Sequence, residues 1–366
     1  MRFIAALVAT AVCLPSVASA QAPRRSENVV LIVLDGLRWE EVFRGADSTL
    51  LNSTYGGIDD SAAIRAEFWR ATVAERRRAL MPFLWDTIGA RGVLLGNADA
   101  GSVVRVTNGL NFSYPGYNEM VTGAADPRID SNEYPANPNV TVFEWLNRRP
   151  GFDGRVAIFG TWDAFPRIFN RERARVPVHA AWEDPYLRPD SGAAAIVNRL
   201  ARTTTRIWDD LAYDSFMQLA VRSYLEAARP RVLFIGYGET DVWAHDGEYG
   251  KLLRSARQTD AFIAELWSLM QGIPEYRERT TFIITTDHGR GGGLRGWRDH
   301  GRDVAGADRI WLAVLGPDVQ PTVAARVGVP LTQSQIAATL AAVVGEDFRA
   351  GAARAAAPIA GVAAGR

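Results

Sequence analysis

Six side chains able to hold a divalent cation recur in three short stretches of this chain. Asp35 ends the run NVVLIVLDG, Asp241 and His245 stand four apart in ETDVWAH, and Asp287, His288 and His300 fall within TTDHGRGGGLRGWRDHG. The sequence has 4 histidines, and His179 alone lies outside this pattern. Carboxylate oxygen and neutral imidazole nitrogen are donors that suit Zn²⁺, and also Mn²⁺ or iron. A catalytic zinc takes three protein ligands, so six such side chains match two cations. A pair of cations about 4 Å apart is the usual clamp for displacement at phosphorus. The spacing of Asp241 and His245 puts both on one side of a helical turn. A single Asp–His pair is commonly no more than a hydrogen-bonded pair. That reading accounts poorly for three pairs that each follow an apolar run.

A two-cation clamp needs a nucleophile, and NGLNFSYPGYNEMVTG offers Ser113. It sits in a turn-rich stretch that leads into a helix, where free backbone N–H groups face an anion. Serines in such places are often turn or capping residues, so spacing leaves both roles open.

These residues need a frame. NVVLIVLDG, RVLFIGYGETD and TTFIITTDHG read as buried strands of a mainly parallel sheet, each breaking at its acid. In open α/β sheets ligands bind beyond the carboxyl ends of strands, so three distant segments offer acids to one rim. VAIFG (156–160) and RIWLAVLG (309–316) read as further strands. A stripe at Leu252, Ala256, Thr259, Ile263, Leu266 and Met270 predicts a long amphipathic helix. A last helix is expected over about 333–344, with Gly345 as its stop. Residues 44–78, with a helical end at AERRRALMPFLWDTI, and residues 124–205, rich in proline and aromatics, read as insertions over the rim. Trp162, Phe165 and Trp182 could stack there on a nucleobase or aryl group, or simply pack. The closing 351–366 is low-complexity and expected to lie loose.

MRFIAALVATAVCLPSVASA reads as a signal peptide (1–20) with its cleavage site after Ala20, which implies a secreted, periplasmic protein. The one cysteine, Cys13, lies in that leader, so the remainder has no disulfide and no cysteine zinc site. Lys251 is the only lysine. Formal net charge is zero, which argues against a general nucleic-acid surface. No later stretch is apolar enough to cross a membrane.

With these residues in view, the chain resembles the alkaline phosphatase superfamily, in particular its nucleotide pyrophosphatase/phosphodiesterase-like and bacterial alkaline-phosphatase-like members. The likeness runs from VVLIVLDGLR to LTQSQIAATLAAVVG. The family's T-F-P-N-H-Y-x-x-x-T-G segment stands here as SYPGYNEMVTG. It keeps the nucleophile, an aromatic, the proline and the closing Thr-Gly, with Gly116 and Tyr117 in place of asparagine and histidine. The resemblance implies a three-layer α/β/α catalytic domain over 21–350, with a mainly parallel central sheet and loop insertions over the active-site rim. It implies that Asp35, Ser113, Asp287 and His288 hold one zinc, and that Asp241, His245 and His300 hold the other. Ser113 is then the nucleophile, and Asn132 the contact to a phosphoryl oxygen, with Asn139 as second choice. Asp299 is expected to orient His300. The implied activity is hydrolysis of a small phosphoric ester through a phosphoserine, as a phosphodiesterase, a phosphomonoesterase or both.

The lysine carried by some monoesterase members is missing from VAIFGTWDAFPR, where Arg167 is a loose stand-in; this leans toward diesters or mixed substrates. A sulfatase of the same superfamily is the main alternative, although Ser113 lacks the C/S-x-P-x-R context of that class. A metal-binding relative without catalysis is the other.

Overall fold

Side chains alternate across a strand, so a strand buried on both faces reads as a continuous apolar run. The computed structural model, which describes residues 25–184, 186–320 and 330–362, has this arrangement at its centre. The signal peptide expected at 1–20 lies outside the described residues. The strands are β1 (Asn28–Leu34), β2 (Val93–Leu95), β3 (Val104–Arg105), β4 (Val156–Gly160), β5 (Val178–Ala180), β6 (Val232–Tyr237), β7 (Thr280–Thr285), β8 (Arg309–Ile310), β9 (Leu312–Leu315) and β10 (Leu331–Thr332). Seven form one sheet in the order β2-β9-β7-β1-β6-β4-β5. β7, β1, β6, β4 and β5 run parallel, while β9 is antiparallel to both β7 and β2. The remaining strands make a small sheet, β10-β3-β8. RIWLAVLG is therefore two strands in two sheets, split at the buried Trp311, whose Nε1 donates to the Leu37 carbonyl at 2.9 Å.

Val30, Ile32 and Leu34 of β1 face one layer, which holds the helices Asp214–Ala228 and Tyr249–Gly272. Val29, Leu31 and Val33 face the other, which holds the helices Ser113–Thr122, Val142–Asn147 and Gln335–Val343. Each buried Val, Leu or Ile side chain contributes about 1.5–3 kcal/mol. The expected stripe from Leu252 to Met270 is buried along Tyr249–Gly272. Gly345 follows the last helix at φ +88°, as a stop residue does. The fold is the expected α/β architecture, with a mostly parallel seven-stranded sheet between two helical layers.

Two expectations need correction. The stretch 124–205 is not one insertion, because β4 and β5 of the central sheet lie inside it. The closing segment is not loose through its described part: Ala355, Ile359 and Val362 are buried against the second layer, and Ala356 N–H donates to the Gly123 carbonyl at 2.9 Å. Alanine-rich composition hid this, because a few small apolar residues suffice to cover a helix. Residues 44–78 carry the helices Ser53–Gly56, Ser61–Phe68 and Val73–Leu80, started by the side chains of Asn52, Asp60 and Thr72. This segment meets the glycine-rich loop, since the Tyr55 carbonyl accepts Trp297 Nε1 at 3.2 Å and Arg298 Nη2 at 2.9 Å.

Candidate metal centre

Strands β7, β1 and β6 are neighbours, with Val33 opposite Thr285 and Leu34 opposite Tyr237. Their carboxyl ends therefore release Asp35, the Glu239–His245 helix and Thr286-Asp287-His288 at one level. That helix is started from outside. Asp214 Oδ1 accepts Gly238 N–H at 3.0 Å and Glu239 N–H at 3.4 Å, and Glu239 Oε1 accepts Asp214 N–H at 2.9 Å. Thr240 Oγ1 donates to the Asp35 carbonyl at 2.6 Å, which ties the helix to β1.

The six predicted donors meet. Asp35, Asp287 and His288 each offer one atom within 4.8 Å of the others, and so do Asp241, His288 and His300. His288 Nε2 lies 3.5 Å from Asp35 Oδ1, 3.4 Å from Asp287 Oδ2 and 3.7 Å from Asp241 Oδ1. His245 Nε2 lies 3.4 Å from Asp241 Oδ2 and 2.9 Å from His300 Nε2. Ser113 Oγ stands 3.3 Å from His288 Nε2. The helix Ser113–Thr122 begins at the serine itself, with Phe112 as its cap residue.

Hydrogen bonds fix which imidazole nitrogen faces inward. A carbonyl only accepts, so His288 Nδ1 donates to the Gly289 carbonyl (3.0 Å) and His300 Nδ1 to the Asn111 carbonyl (3.2 Å). In the neutral rings Nε2 then carries a lone pair, the state a metal ligand needs. The acceptor for His300 is thus a main-chain carbonyl and not the expected Asp299. Asn111 holds that carbonyl in place from a left-handed backbone conformation, φ +55°. Asp35 Oδ1 and Asp287 Oδ2 are buried without a hydrogen-bond partner. Leaving such atoms unsatisfied costs about 1–3 kcal/mol each, more when charged, and a bound cation would satisfy both. The donor set and its unpartnered atoms therefore fit divalent metal.

Electrostatics point the same way. Burial, then the neighbouring Asp35 and Asp241, raises the Asp287 carboxyl well above the ordinary range. Burial also raises Asp241, but Arg290, then His245 and His288, carry it well below the ordinary range. Burial opposes charge on His288, yet Asp287, Asp35 and Asp241 hold it up at about 9. Burial and the adjacent His288 push His300 down to about 2. Three carboxylates in one pocket create a demand for positive charge.

Several side chains support the site in ways that the sequence did not announce. Arg290 is fully buried: Nη2 pairs with Asp241 Oδ1, Nε donates to the Gly36 carbonyl at 3.2 Å, and Nη1 donates to the Arg298 carbonyl at 2.5 Å. Tyr117 Oη donates to Asp35 Oδ2 at 2.8 Å. Glu119, fully buried, accepts Thr107 N–H (3.0 Å), Asn108 N–H (2.9 Å) and Ser334 Oγ (2.7 Å), which shapes the loop before Ser113. Gly116 explains one departure from the family segment: a Cβ there would stand 2.4 Å from the Asp287 carbonyl oxygen. Gly116 and Tyr117 showed in the sequence only as departures from the family segment, and Arg290 and Glu119 only as charged side chains.

Asn132 does reach the start of the serine helix, where its Oδ1 accepts Tyr114 N–H at 3.0 Å. Asn139 is turned elsewhere, donating to Asp126 Oδ2 at 2.8 Å and Asn118 Oδ1 at 3.2 Å. Pro115 has no N–H to give, and among the described residues Ser113 N–H has no hydrogen-bond partner. Arg167 lies beside this corner, its Nη2 donating to the Asn132 carbonyl at 3.3 Å. Of the three aromatics, Phe165 belongs to the core, with its ring 5.0 Å from Tyr117 and 5.4 Å from Phe234. Trp182 donates to the carbonyls of Trp208 (3.2 Å) and Leu211 (3.1 Å). Trp182 and Trp162 are both half-buried, and Trp162 stands just beyond the carboxyl end of β4.

This architecture is the fold of the alkaline phosphatase superfamily. No protein-family model matches the chain, and no curated protein matches it by sequence. Among solved structures it is similar to the phosphonate monoester hydrolase of Agrobacterium radiobacter, with TM-score 0.54 and 14% identity over 87% of this chain and 74% of that one. It is similar to an alkaline phosphatase from the Antarctic bacterium TAB5, with TM-score 0.50 and 11% identity over 88% and 99% of the two chains. It is also similar to a putative sulfatase from Bacteroides thetaiotaomicron, with TM-score 0.52 and 12% identity over 92% and 73%. Among the described residues, no helix is long and apolar enough to cross a membrane.

Proposed function

We propose that this chain is an exported metal-dependent hydrolase of small phosphoric esters, working with two divalent cations, most suitably Zn²⁺, and with Ser113 as its nucleophile. One cation would be held by Asp35, Ser113, Asp287 and His288, the other by Asp241, His245 and His300. The observation that carries the reading is the convergence of these side chains beyond three adjacent parallel strands, with two carboxylate oxygens left unpartnered among them. When bound, the cations supply Lewis acidity: they favour the ionised serine and water and offset charge on the phosphoryl and leaving oxygens.

The chain's own residues do the rest. Ser113 Oγ attacks phosphorus as the bond to the leaving oxygen breaks, giving a phosphoserine and the freed alcohol. Its position at the first turn of a helix puts the unused Ser113 N–H beside the phosphoryl group, where the helix dipole favours negative charge. Asn132, anchored through Oδ1 to Tyr114 N–H, has its amide nitrogen left to hold a phosphoryl oxygen. Water then attacks the phosphoserine and releases Ser113. The Nδ1 bonds of His288 and His300 keep both rings from turning while charge moves. Pre-positioned charge of this kind is the main requirement of a loose phosphoryl-transfer transition state.

The test is turnover of p-nitrophenyl phosphate, bis-p-nitrophenyl phosphate and p-nitrophenyl sulfate by wild type and Ser113→Ala, before and after chelation and zinc restoration. Expected is phosphoester hydrolysis, greater on the diester, that chelation abolishes and zinc restores. Ser113→Ala should lose at least a hundredfold, in keeping with loss of a covalent step worth about 3 kcal/mol or more. Faster turnover of the sulfate ester, or full activity in Ser113→Ala, would overturn the assignment.

A further inference from the structure

One guanidinium, that of Arg290, touches all three segments that carry the metal donors. Nε donates to the carbonyl of Gly36, next to Asp35, at 3.2 Å. Nη2 donates to the Asp241 carbonyl at 3.1 Å and pairs with Asp241 Oδ1. Nη1 donates to the carbonyl of Arg298, just ahead of His300, at 2.5 Å. This close approach depends on Gly36, at φ +58°: a Cβ there would stand 2.4 Å from Asp241 Oδ1 and 2.9 Å from Arg290 Nε.

A second buried arginine shows what sets the first apart. Arg38 also grips the glycine-rich loop, with Nη1 on the Gly291 carbonyl at 3.1 Å. Its charge is answered by Glu41, whose Oε2 accepts Nε at 2.8 Å and which is no metal donor. Among the described residues, the one carboxylate ion-paired with Arg290 is Asp241. Asp241 Oδ1 is thus committed to Arg290, while Oδ2 lies 3.4 Å from His245 Nε2. The two donor sets then differ in charge. With the imidazoles neutral, Asp35 and Asp287 give the inner set two negative charges. The outer set, Asp241, His245 and His300, has one carboxylate, and the charge on Arg290 cancels it. Cation affinity is tuned by the charge of the donor set.

Resting on the two-cation reading, we propose that Arg290 is a positioning residue for the outer cation: it fixes the Asp241 carboxylate and, by cancelling its charge, makes the outer position the weaker of the two. A neutral side chain in its place leaves a buried carboxylate uncompensated, which weakens the metal-free fold. Zinc then answers that charge, so affinity at the outer position rises. A residue that served only as a brace would not raise it.

Zinc titration against a competing chromophoric chelator tests this on wild type, Arg290→Met, Arg290→Lys and His245→Ala, with the Tm of each metal-free protein measured alongside. Expected in wild type are two zinc ions, the second bound at least tenfold more weakly. His245→Ala, at a side chain that is 42% exposed, should lose the weaker ion and keep the tighter. Arg290→Met should lower the metal-free Tm yet bind the weaker ion at least tenfold more tightly. Arg290→Lys keeps the charge and should keep the wild-type gap. Equal affinities in wild type, loss of the tighter ion in His245→Ala, a closed gap in Arg290→Lys, or an outer ion no tighter in Arg290→Met would each overturn the proposal and leave the two-cation reading standing. Wild type that takes up fewer than two ions would overturn both. The other three proteins keep the test decisive if Arg290→Met does not fold.

Discussion

Replacing Asp287 with asparagine separates the cost of crowding carboxylates from the gain of loading cations. The donor oxygens of Asp35 and Asp287 lie within 4.8 Å of each other. Two unit charges at that distance repel by about 3 kcal/mol at an effective dielectric near 20. In the metal-free fold that repulsion, or the uptake of a proton to relieve it, weighs against folding. Asparagine removes the charge and keeps an oxygen for Gly36 N–H, which Asp287 Oδ1 now accepts at 3.1 Å. It also replaces the unpartnered Oδ2 with a donor beside the equally unpartnered Asp35 Oδ1. Metal-free Asp287→Asn should therefore be more stable than metal-free wild type by about 1–3 kcal/mol, a rise of roughly 2–6 °C in Tm. Zinc should reverse the order, because under the proposed assignment the wild type takes up both ions and the variant lacks a ligand. Scanning calorimetry in EDTA, followed by zinc addition, reads both halves; turnover of bis-p-nitrophenyl phosphate should be lost in the variant. If the variant melts below wild type in EDTA, or zinc raises both equally, the account of the cage is wrong.

Other perturbations test its supports. Tyr117→Phe removes the donor to Asp35 Oδ2 from a fully buried site, so urea denaturation of metal-free protein should show a loss of about 1–3 kcal/mol. Gly116→Ala places a methyl 2.4 Å from the Asp287 carbonyl, where backbone must yield. A loss of about 1–3 kcal/mol and a fall in hydrolysis of tenfold or more are expected, read by denaturation and by diester turnover. His179→Gln tests the acid limb of stability. The folded-state value of about 4 is below the unfolded 6.5, so the unfolded chain takes its proton first, and stability present above pH 6.5 is lost as pH falls toward 4. The variant should flatten that slope, worth at most about 3 kcal/mol, in denaturation curves at pH 7 and pH 4.5.

The strands that carry the acids were legible because a doubly covered parallel strand is both apolar throughout and abruptly ended. Asp35, Asp241 and Asp287 therefore declared themselves, and the scarcity of histidine made His245, His288 and His300 conspicuous. Ser113 was less legible, since the turn that exposes it looks like any other turn; only likeness to a known segment singled it out. Arg290, Tyr117 and Glu119 stayed hidden because their partners, Asp241, Asp35 and the 107–108 turn, are remote or ambiguous in sequence. Asp299 looked like the natural partner of its neighbour His300, but the ring is turned toward Asn111, 189 positions away. The splitting of RIWLAVLG and the packing of the closing segment depend on surfaces made by other elements, which no local pattern announces.

The two halves of the cage differ in access. Asp287 and His288 are shut off from solvent, whereas the His245 side chain is 42% exposed. If two ions bind as proposed, a competing chelator in solution would reach the one at Asp241, His245 and His300 first and meet the inner one only after the fold loosens. Exchange of metal should then be biphasic, a fast event followed by one as slow as local opening. Under that proposal, occupancy in a purified sample would depend on how long it had been dialysed, and a preparation with one ion per chain would be a trapped stage of unloading.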